Sequence, residues 1–176
     1  MTNRVYIATS LDGYIATPGG GLDWLYAVPN PNNDDYGYAD FIEGIDAIVM
    51  GRNTFEKVMT FDTWPYNKPV FVLSNSLAQL PEAVKNKAEK VSGDLRKLVQ
   101  QLGTRGYSNL YIDGGSVIRS FLAEDLIDEM TITTVPVLLG SGIPLFTQLS
   151  EALTFEHQKT EVLSSALVKT HYIRTR

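Results

Sequence analysis

The sequence contains no cysteine, which excludes disulfide bonds, thiolate nucleophiles and zinc–thiolate sites. It has only two histidines, His157 and His171, and we interpret them as surface residues of paired strands rather than as metal ligands. The formal net charge is -5, whereas a nucleic-acid-binding protein normally carries a basic surface. No apolar run is long enough to cross a bilayer, and the N-terminus lacks the pattern of a secretory signal. We therefore expect a soluble, cytoplasmic protein without metal, nucleic-acid or membrane partners.

The rest of the composition is that of an ordinary globular protein, with 44% hydrophobic and 20% charged residues. The length of 176 residues is enough for a hydrophobic core, and we expect one domain spanning 1–176. Strand-like and helical patterns alternate through the first two-thirds, with strands predicted at 5–9, 70–73 and 90–91 and before two glycine turns. This alternation favours an α/β fold whose sheet is mostly parallel and covered by helices on both faces.

Helices are predicted from their apolar spacing and from their end signals. Asp34 or Asp35 can cap a first helix, a second helix covers 54–59, and a third begins near Asp94 and is stopped by Gly103. A fourth helix ends near Ala123. After residue 128 the pattern changes, with strands predicted at 130–135, 153–159 and 166–173. The last two pair naturally as an antiparallel hairpin, so the expected sheet is mixed.

Two strand-to-helix junctions, about 60 residues apart, carry most of the functional information. In each, a short apolar run ends in glycine, at Gly51 and at Gly114-Gly115, and a helix follows. A helix N-terminus offers unpaired N–H groups and a partial positive charge, and glycine allows an anion to approach them closely. Two such junctions on one sheet suit the linked phosphates of a dinucleotide.

Four motifs occur in the order found in a known family: residues 10–13 after the first strand, 49–56, 113–115 and 136–146. With their strand and helix context, they resemble the dihydrofolate reductase superfold. The similarity is greatest to the reductase domain of riboflavin biosynthesis and its stand-alone relatives, and it covers nearly the whole chain. This resemblance implies a bound NADPH along the carboxyl edge of the sheet, as the rule for open α/β sheets also predicts.

The resemblance also implies roles for individual residues. The pyrophosphate and adenosine 2′-phosphate would contact Gly51, Arg52, Asn53 and Thr54, and Arg52 can form a forked contact with a phosphate. The other implied cofactor contacts are the adenosine turn Leu73, Ser74, Asn75 and Ser76; the paired glycines of unusual peptide geometry, Gly114 and Gly115, with Ser116 and Val117; and the nicotinamide-binding backbone of Ala8 and Ile15. The alternatives are a solvated arginine at position 52 and a merely polar turn at 74–76.

Substrate contacts are expected from Trp24, Tyr14 and Tyr38, with Trp24 in a loop that closes over the nicotinamide. Trp24 is equally well explained as a core anchor of that loop. Dihydrofolate reductases carry proline before this tryptophan, whereas this chain has Asp23, which argues against folate. Riboflavin-pathway reductases usually carry lysine or arginine where this chain has Tyr14, which argues against a phosphoribosyl substrate.

Reduction of a C=N bond requires a proton at nitrogen, so a carboxyl group near the ring would assist. Asp35 is the first candidate, because the resemblance aligns it with the substrate-binding carboxylate of dihydrofolate reductases. Asp12, which follows the first strand, is the second. Each has a structural alternative, Asp35 as a helix cap and Asp12 as a turn former.

The sequence therefore predicts an NADPH-dependent reductase of a small heterocycle, similar to 5-amino-6-(5-phosphoribosylamino)uracil reductase but with a different substrate. Dihydrofolate reductase itself and a non-catalytic nucleotide-binding module are the alternatives. A homodimer is also predicted, because the apolar run 135–139 contains Pro136, which favours a sheet border that a second subunit would cover.

Overall fold

A computed structural model describes all 176 residues. Its main sheet has eight strands in the order β5-β4-β3-β6-β1-β7-β10-β9. The strands from β5 to β7 run parallel, and β10 and β9 follow as an antiparallel hairpin. The bounds are β1 Thr2–Ser10, β2 Tyr14–Ala16, β3 Ala47–Gly51, β4 Val70–Leu73, β5 Ala88–Val91, β6 Asn109–Asp113, β7 Glu129–Val135, β8 Ile143–Pro144, β9 Phe155–Leu163 and β10 Leu167–Arg174. The predicted mixed, mostly parallel sheet is confirmed, and β2 and β8 form a small second sheet.

Four α-helices connect the parallel strands: α1 Tyr38–Glu43, α2 Arg52–Val58, α3 Leu95–Thr104 and α4 Gly115–Ala123. Short 3-10 helices cover Asp23–Tyr26 and Glu82–Val84. None of these helices combines the length and apolar character needed to cross a bilayer.

The alternation of side chains along β3 shows why helices cover both faces of the sheet. Ala47 and Val49 belong to a core that α3 and α4 cover, whereas Ile48 and Met50 belong to a second core under α1 and α2. All four side chains are fully buried. A parallel strand buried on both faces reads as a continuous apolar run, which is the pattern that precedes Gly51 in the sequence.

The end of α3 differs from the prediction. Gly103 lies inside the helix, and the positive φ of 94° needed for the terminating turn is adopted by Gly106 instead. The amide of Tyr107 donates to the carbonyl of Leu102, and that of Gly106 donates to Gly103, which closes the last turn. The start of α3 agrees with the sequence, since the Asp94 side chain accepts from the Lys97 amide at 2.9 Å.

The C-terminal part also differs in two places. The hairpin strand β9 begins at Phe155 and extends to Leu163, beyond the predicted 153–159. The run 135–139 does not border the sheet, because β7 lies between β1 and β10, and Pro136 follows the last residue of this interior strand. Proline is tolerated there because the ladder has already ended. His171 lies beside Thr131, and His157 beside Thr160, on the strands of the hairpin region.

Candidate functional site

The two glycine junctions lie side by side at the carboxyl edge of the sheet. β3 and β6 are parallel neighbours, and Met50 pairs in register with Asp113, directly before Gly114. A methyl group on Gly114 would overlap Thr54 Oγ1, so the two junctions touch. Similarly, a methyl group on Gly51 would lie 3.0 Å from Val117 Cγ2. The fold therefore brings together segments that are far apart in sequence.

The helices that begin at these junctions have unpartnered N-terminal amides. Neither α2, which follows Gly51, nor α4, which follows Gly114, has a side chain capping its first turn. By contrast, the Asp94 carboxylate caps α3. All peptide bonds are trans, and Gly114 takes φ 90° and ψ 133°, a conformation accessible mainly to glycine. This arrangement of free N–H groups and absent Cβ atoms fits the phosphates of a dinucleotide.

The predicted adenosine turn joins the same edge. Leu73 pairs with Gly51, and Ser74 Oγ accepts from the amides of Ser76 and Leu77. Arg52 reaches this turn, with Nη1 at 3.3 Å from Ser76 Oγ, while its Nε donates to Glu56 Oε1 at 2.6 Å. The guanidinium therefore keeps N–H groups free for an anion. The exposed side chains at this edge include Asn53, Asn75 and Ser116.

A cavity of about 270 Å³ opens beside β1 and β7. Ala8, a predicted nicotinamide contact, lines it and pairs with Thr133 across the two strands. Ile15 lies outside it and packs against Gly115 at the second junction. The cavity is lined mostly by apolar residues, and Asp35 is its only charged one. Its lining is Tyr6, Ile7, Ala8, Leu25, Tyr26, Val28, Asn30, Asp35, Tyr36, Thr133, Val135 and Leu167.

None of the three side chains expected to contact substrate lines this cavity. Trp24 packs against Val135 and Leu167 behind it, which agrees with the core-anchor alternative. Its indole Nε1 is buried without an acceptor, a costly arrangement that a water or ligand oxygen would relieve. Tyr38 is part of an aromatic cluster under α1, and Tyr14 packs near Gly142. The aromatic residues that line the cavity are Tyr6, Tyr36 and Tyr26, and Tyr26 is 82% exposed.

The two candidate acids are both bound by hydrogen-bond donors. Asp12 accepts from Ser10 Oγ at 2.6 Å and from the amides of Leu139 and Gly140, and these bonds, that of Ser10 first, lower its pKa. Asp35 accepts from the amides of Gly37 and Ala39 at 2.9 and 2.8 Å, which lower its pKa.

The backbone amides that donate to Asp12 belong to the distant residues Leu139 and Gly140, so its carboxylate joins two segments, which the turn-forming alternative does not describe. The hydrogen bonds of Asp35 match its capping alternative, although Gly37 occupies the N-cap position of α1. Both carboxyl groups are therefore ionised at neutral pH, so neither carries a proton ready for transfer in this structure. Asp35 differs from Asp12 in facing the cavity, where a carboxylate can accept hydrogen bonds from a ligand.

Asp113 ends β6 directly before Gly114, and no role for its side chain was predicted from the sequence. Burial of its carboxyl group raises its pKa, against hydrogen bonds from Tyr111, the Gly114 amide and Tyr66 that lower it. The Tyr111 hydroxyl lies 3.2 Å from Asp113 Oδ1 and 3.1 Å from the Tyr6 carbonyl, and it has one hydrogen for two acceptors. The feature of the sequence that could have identified Asp113 is a charged residue at the end of a buried strand.

Comparison with known proteins assigns the chain to a protein family. A family model described as the RibD C-terminal domain matches residues 4–169. The Bacillus subtilis protein YwjB is 37% identical, over 97% of this chain and 96% of its own length. The Bacillus subtilis protein YyaP is 28% identical, over 94% of this chain and 91% of its own length.

Solved structures share the fold. A Shewanella sp. PV-4 protein with a provisional riboflavin-biosynthesis name has a TM-score of 0.97 and 52% identity, over 100% of both chains. The Thermotoga maritima diaminohydroxyphosphoribosylaminopyrimidine deaminase/5-amino-6-(5-phosphoribosylamino)uracil reductase has a TM-score of 0.77 and 15% identity, over 99% of this chain and 56% of its own. Enterococcus faecalis dihydrofolate reductase, complexed with NADP(H), has a TM-score of 0.67 and 17% identity, over 99% of this chain and 97% of its own. The last two show the shared dihydrofolate-reductase-like fold alone. The chain belongs to the RibD C-terminal domain family.

Proposed function

We propose that this protein is an NADPH-dependent reductase of a small, flat heterocycle that carries no phosphate. The observation that supports this most is the pair of touching glycine junctions, Gly51 with Thr54 and Gly114 with Gly115. They follow the neighbouring strands β3 and β6, and β6 in turn pairs with β1, beside which the cavity opens. A dinucleotide at the junctions and a ring in the cavity would then share one edge of the sheet, as the rule for open α/β sheets requires.

When bound, NADPH supplies the hydride, so the chain has to bind, orient and exclude water. The amides at the start of α2 and α4 would bind the pyrophosphate, and the free guanidinium N–H groups of Arg52 would bind the 2′-phosphate. The backbone of Ala8 and Ile15 would orient the carboxamide. The exposed Tyr26 is available to cover the ring and exclude water.

Asp35 would accept a hydrogen bond from a ring N–H and so fix the orientation of the substrate. Each of its oxygens accepts one backbone amide and keeps a further lone pair. Because this carboxyl is ionised at neutral pH, the proton that follows the hydride would come from water that Asp35 orients at the ring nitrogen.

The cavity argues against a phosphoribosyl substrate, because no lysine, arginine or histidine lines it. Arg119, which stands near the second junction, donates to the Pro144 carbonyl at 2.6 Å. Lys169, next to the cavity wall, is bound to the Tyr36 carbonyl and to Glu161. A phosphate entering this site would therefore lose its water without gaining a cationic partner. An apolar cavity with one carboxylate favours a neutral or protonated ring.

The test is cofactor oxidation by the purified protein. The protein is mixed with NADPH and, separately, with a pterin, with dihydrofolate and with the phosphoribosylaminopyrimidinone, and the loss of cofactor absorbance is followed. We expect NADPH to bind and an uncharged heterocycle to be reduced. Turnover of the phosphoribosyl compound faster than about 1 s⁻¹ would refute the substrate class. Failure to bind NADPH would refute the cofactor, and binding without any turnover would indicate a nucleotide-binding module.

A further inference from the structure

The wall of the cavity contains a segment in an unusual backbone conformation. Residues 33–37 join the 3-10 helix Asp23–Tyr26 region to α1, and within them Asn33 has φ 50°, Tyr36 has φ 57° and Gly37 has φ 90°. Glycine takes such values freely, whereas a tyrosine takes them at a cost in free energy. Something in the surrounding structure must therefore hold Tyr36 in place.

Two side chains from the sheet bind the carbonyl oxygen of Tyr36. The Tyr6 hydroxyl, from β1, donates to it at 2.7 Å, and Lys169 Nζ, from β10, donates at 2.9 Å. The Lys169 side chain is only 15% exposed, and its ammonium also contacts Glu161 Oε2 at 3.3 Å on β9. The ammonium of this mostly buried lysine is thus held between a backbone carbonyl and a carboxylate, which together fix its position against the Tyr36 peptide.

Asp35 immediately precedes the residue that is held. Its carboxylate accepts from the amides of Gly37 and Ala39, on the other side of Tyr36. Moving the Tyr36 carbonyl would therefore move both donors of Asp35 and turn its carboxylate within the cavity. We propose that Tyr6 and Lys169 are positioning residues, which bind the Tyr36 carbonyl and thereby present Asp35 to the substrate in one orientation. This proposal depends on the proposed function only for the identity of the ligand that Asp35 binds.

The charges around Asp35 agree with this arrangement. The amides of Gly37 and Ala39 lower its pKa most, and the charge of Lys169 lowers it further. The other charged groups near this position are Asp34 in the same segment and Glu161 on β9, and the phenol of Tyr6 comes from β1. Burial raises the pKa of the Tyr6 hydroxyl most, and the charges of Asp35, Glu161 and Asp34 add to this, so that the pKa is about 12. The hydroxyl therefore remains a hydrogen-bond donor at any working pH.

The test replaces the lysine and follows Asp35 directly. Carboxyl NMR titration is recorded for the native protein and for Lys169→Met, Lys169→Arg and Lys159→Met. Lys159 is the matched control, because its Nζ contacts the same Glu161 carboxylate at 2.9 Å but its side chain is 66% exposed. We expect the Asp35 titration to move to higher pH in Lys169→Met, to return towards the native value in Lys169→Arg, and to stay unchanged in Lys159→Met.

Amide hydrogen exchange gives a second measurement on the same variants. Exchange at Gly37 and Ala39 should become roughly tenfold faster in Lys169→Met and in Tyr6→Phe, the loss expected for one hydrogen bond, while buried amides of β3 keep their native rates. Equal Asp35 titrations in Lys169→Met and Lys159→Met, or unchanged exchange at Gly37 and Ala39, would overturn the proposal.

These measurements need no substrate, so the proposal and the proposed function fail separately. If the Asp35 titration moves as expected but no heterocycle is reduced, the positioning role stands and the reductase function falls. If a heterocycle is reduced, the same Lys169→Met variant should raise KM for it, since the hydrogen bond that Asp35 makes to the bound ring is weakened. An unchanged KM would count against the positioning role.

Discussion

Gly114→Ala is the substitution for which the structure gives the sharpest expectation. The position has φ 90°, which costs an alanine about 1–3 kcal/mol. The new methyl group would also overlap Thr54 Oγ1 and lie 3.3 Å from Thr54 Cβ. Overpacking of this kind costs about 1–3 kcal/mol more. The free energy of unfolding should therefore fall by about 2–6 kcal/mol, because atoms of the protein itself obstruct the methyl group before any cofactor binds.

Three further variants separate the two contributions in urea unfolding experiments. Gly106→Ala shares the positive φ, at 94°, but has no atom within 4 Å of the added methyl group, so it should show the backbone cost alone. Gly19→Ala has neither feature and should be within about 0.5 kcal/mol of native. Adding Thr54→Ala to Gly114→Ala should recover about 1–3 kcal/mol, the overlap contribution.

If Gly114→Ala proves no less stable than Gly106→Ala, or if Thr54→Ala restores nothing, the contact between the two junctions is wrong. The rescued double variant then serves to test the cofactor site. Compared with Thr54→Ala alone, it should lose the increase in stability that NADPH gives, because the methyl group would still stand where the phosphates approach.

Three other predictions concern charge and assembly. The native protein should bind NADPH about 10- to 100-fold more tightly than NADH, and Arg52→Ala should remove most of this preference in Kd. Lys57→Ala, on the same helix, is the control and should keep it. Equal affinities of the native protein for the two cofactors would refute the role of Arg52. Because the pKa of Asp113 is raised on folding, the folded chain binds more protons between the unfolded and folded pKa values, and this group's contribution to stability falls as pH rises through that window. Asp113→Asn should remove that fall in urea unfolding measured from acidic to neutral pH, and an unchanged pH dependence would contradict it. The protein should be a homodimer by light scattering at micromolar concentration, and a native monomer would refute this prediction. Leu138→Glu should shift it to a monomer, because Leu138 is 70% exposed in the apolar run 135–139. Val162→Glu, a control at a position on β9 that is 66% exposed, should leave the dimer unchanged.

The parts of the fold that were predictable are those whose signal is local. The β3 strand reads as a continuous apolar run because both of its faces are buried, and the two glycine junctions follow from turn chemistry. The end of α3 was missed because two glycines, Gly103 and Gly106, compete for that role, and only the tertiary structure selects the one with positive φ. The short β8 has too few residues to give a pattern.

Only part of the candidate site could be proposed from the sequence. The residues expected to bind phosphates come from short motifs, and each motif lies in one segment. The cavity, by contrast, is lined by residues such as Tyr36, Thr133 and Leu167, which come from three distant segments, so no local pattern marks them. Trp24 was expected to contact the substrate from the family resemblance and Tyr38 as an aromatic residue, but both pack in hydrophobic clusters away from the cavity lining.

The strand order also constrains how the chain can fold as it is synthesised. β1, although first to emerge, pairs only with β6 and β7, while β3, β4 and β5 pair with one another. β1 therefore has no pairing partner until residues 109–113 have left the ribosome, and its hydrogen-bonding edges are exposed for most of translation. β6 then joins β1 to these three strands and places Gly114 beside Thr54, so the edge that would hold a dinucleotide forms in the same step. A ligand that binds at that edge would therefore bind only after β6 has joined the sheet.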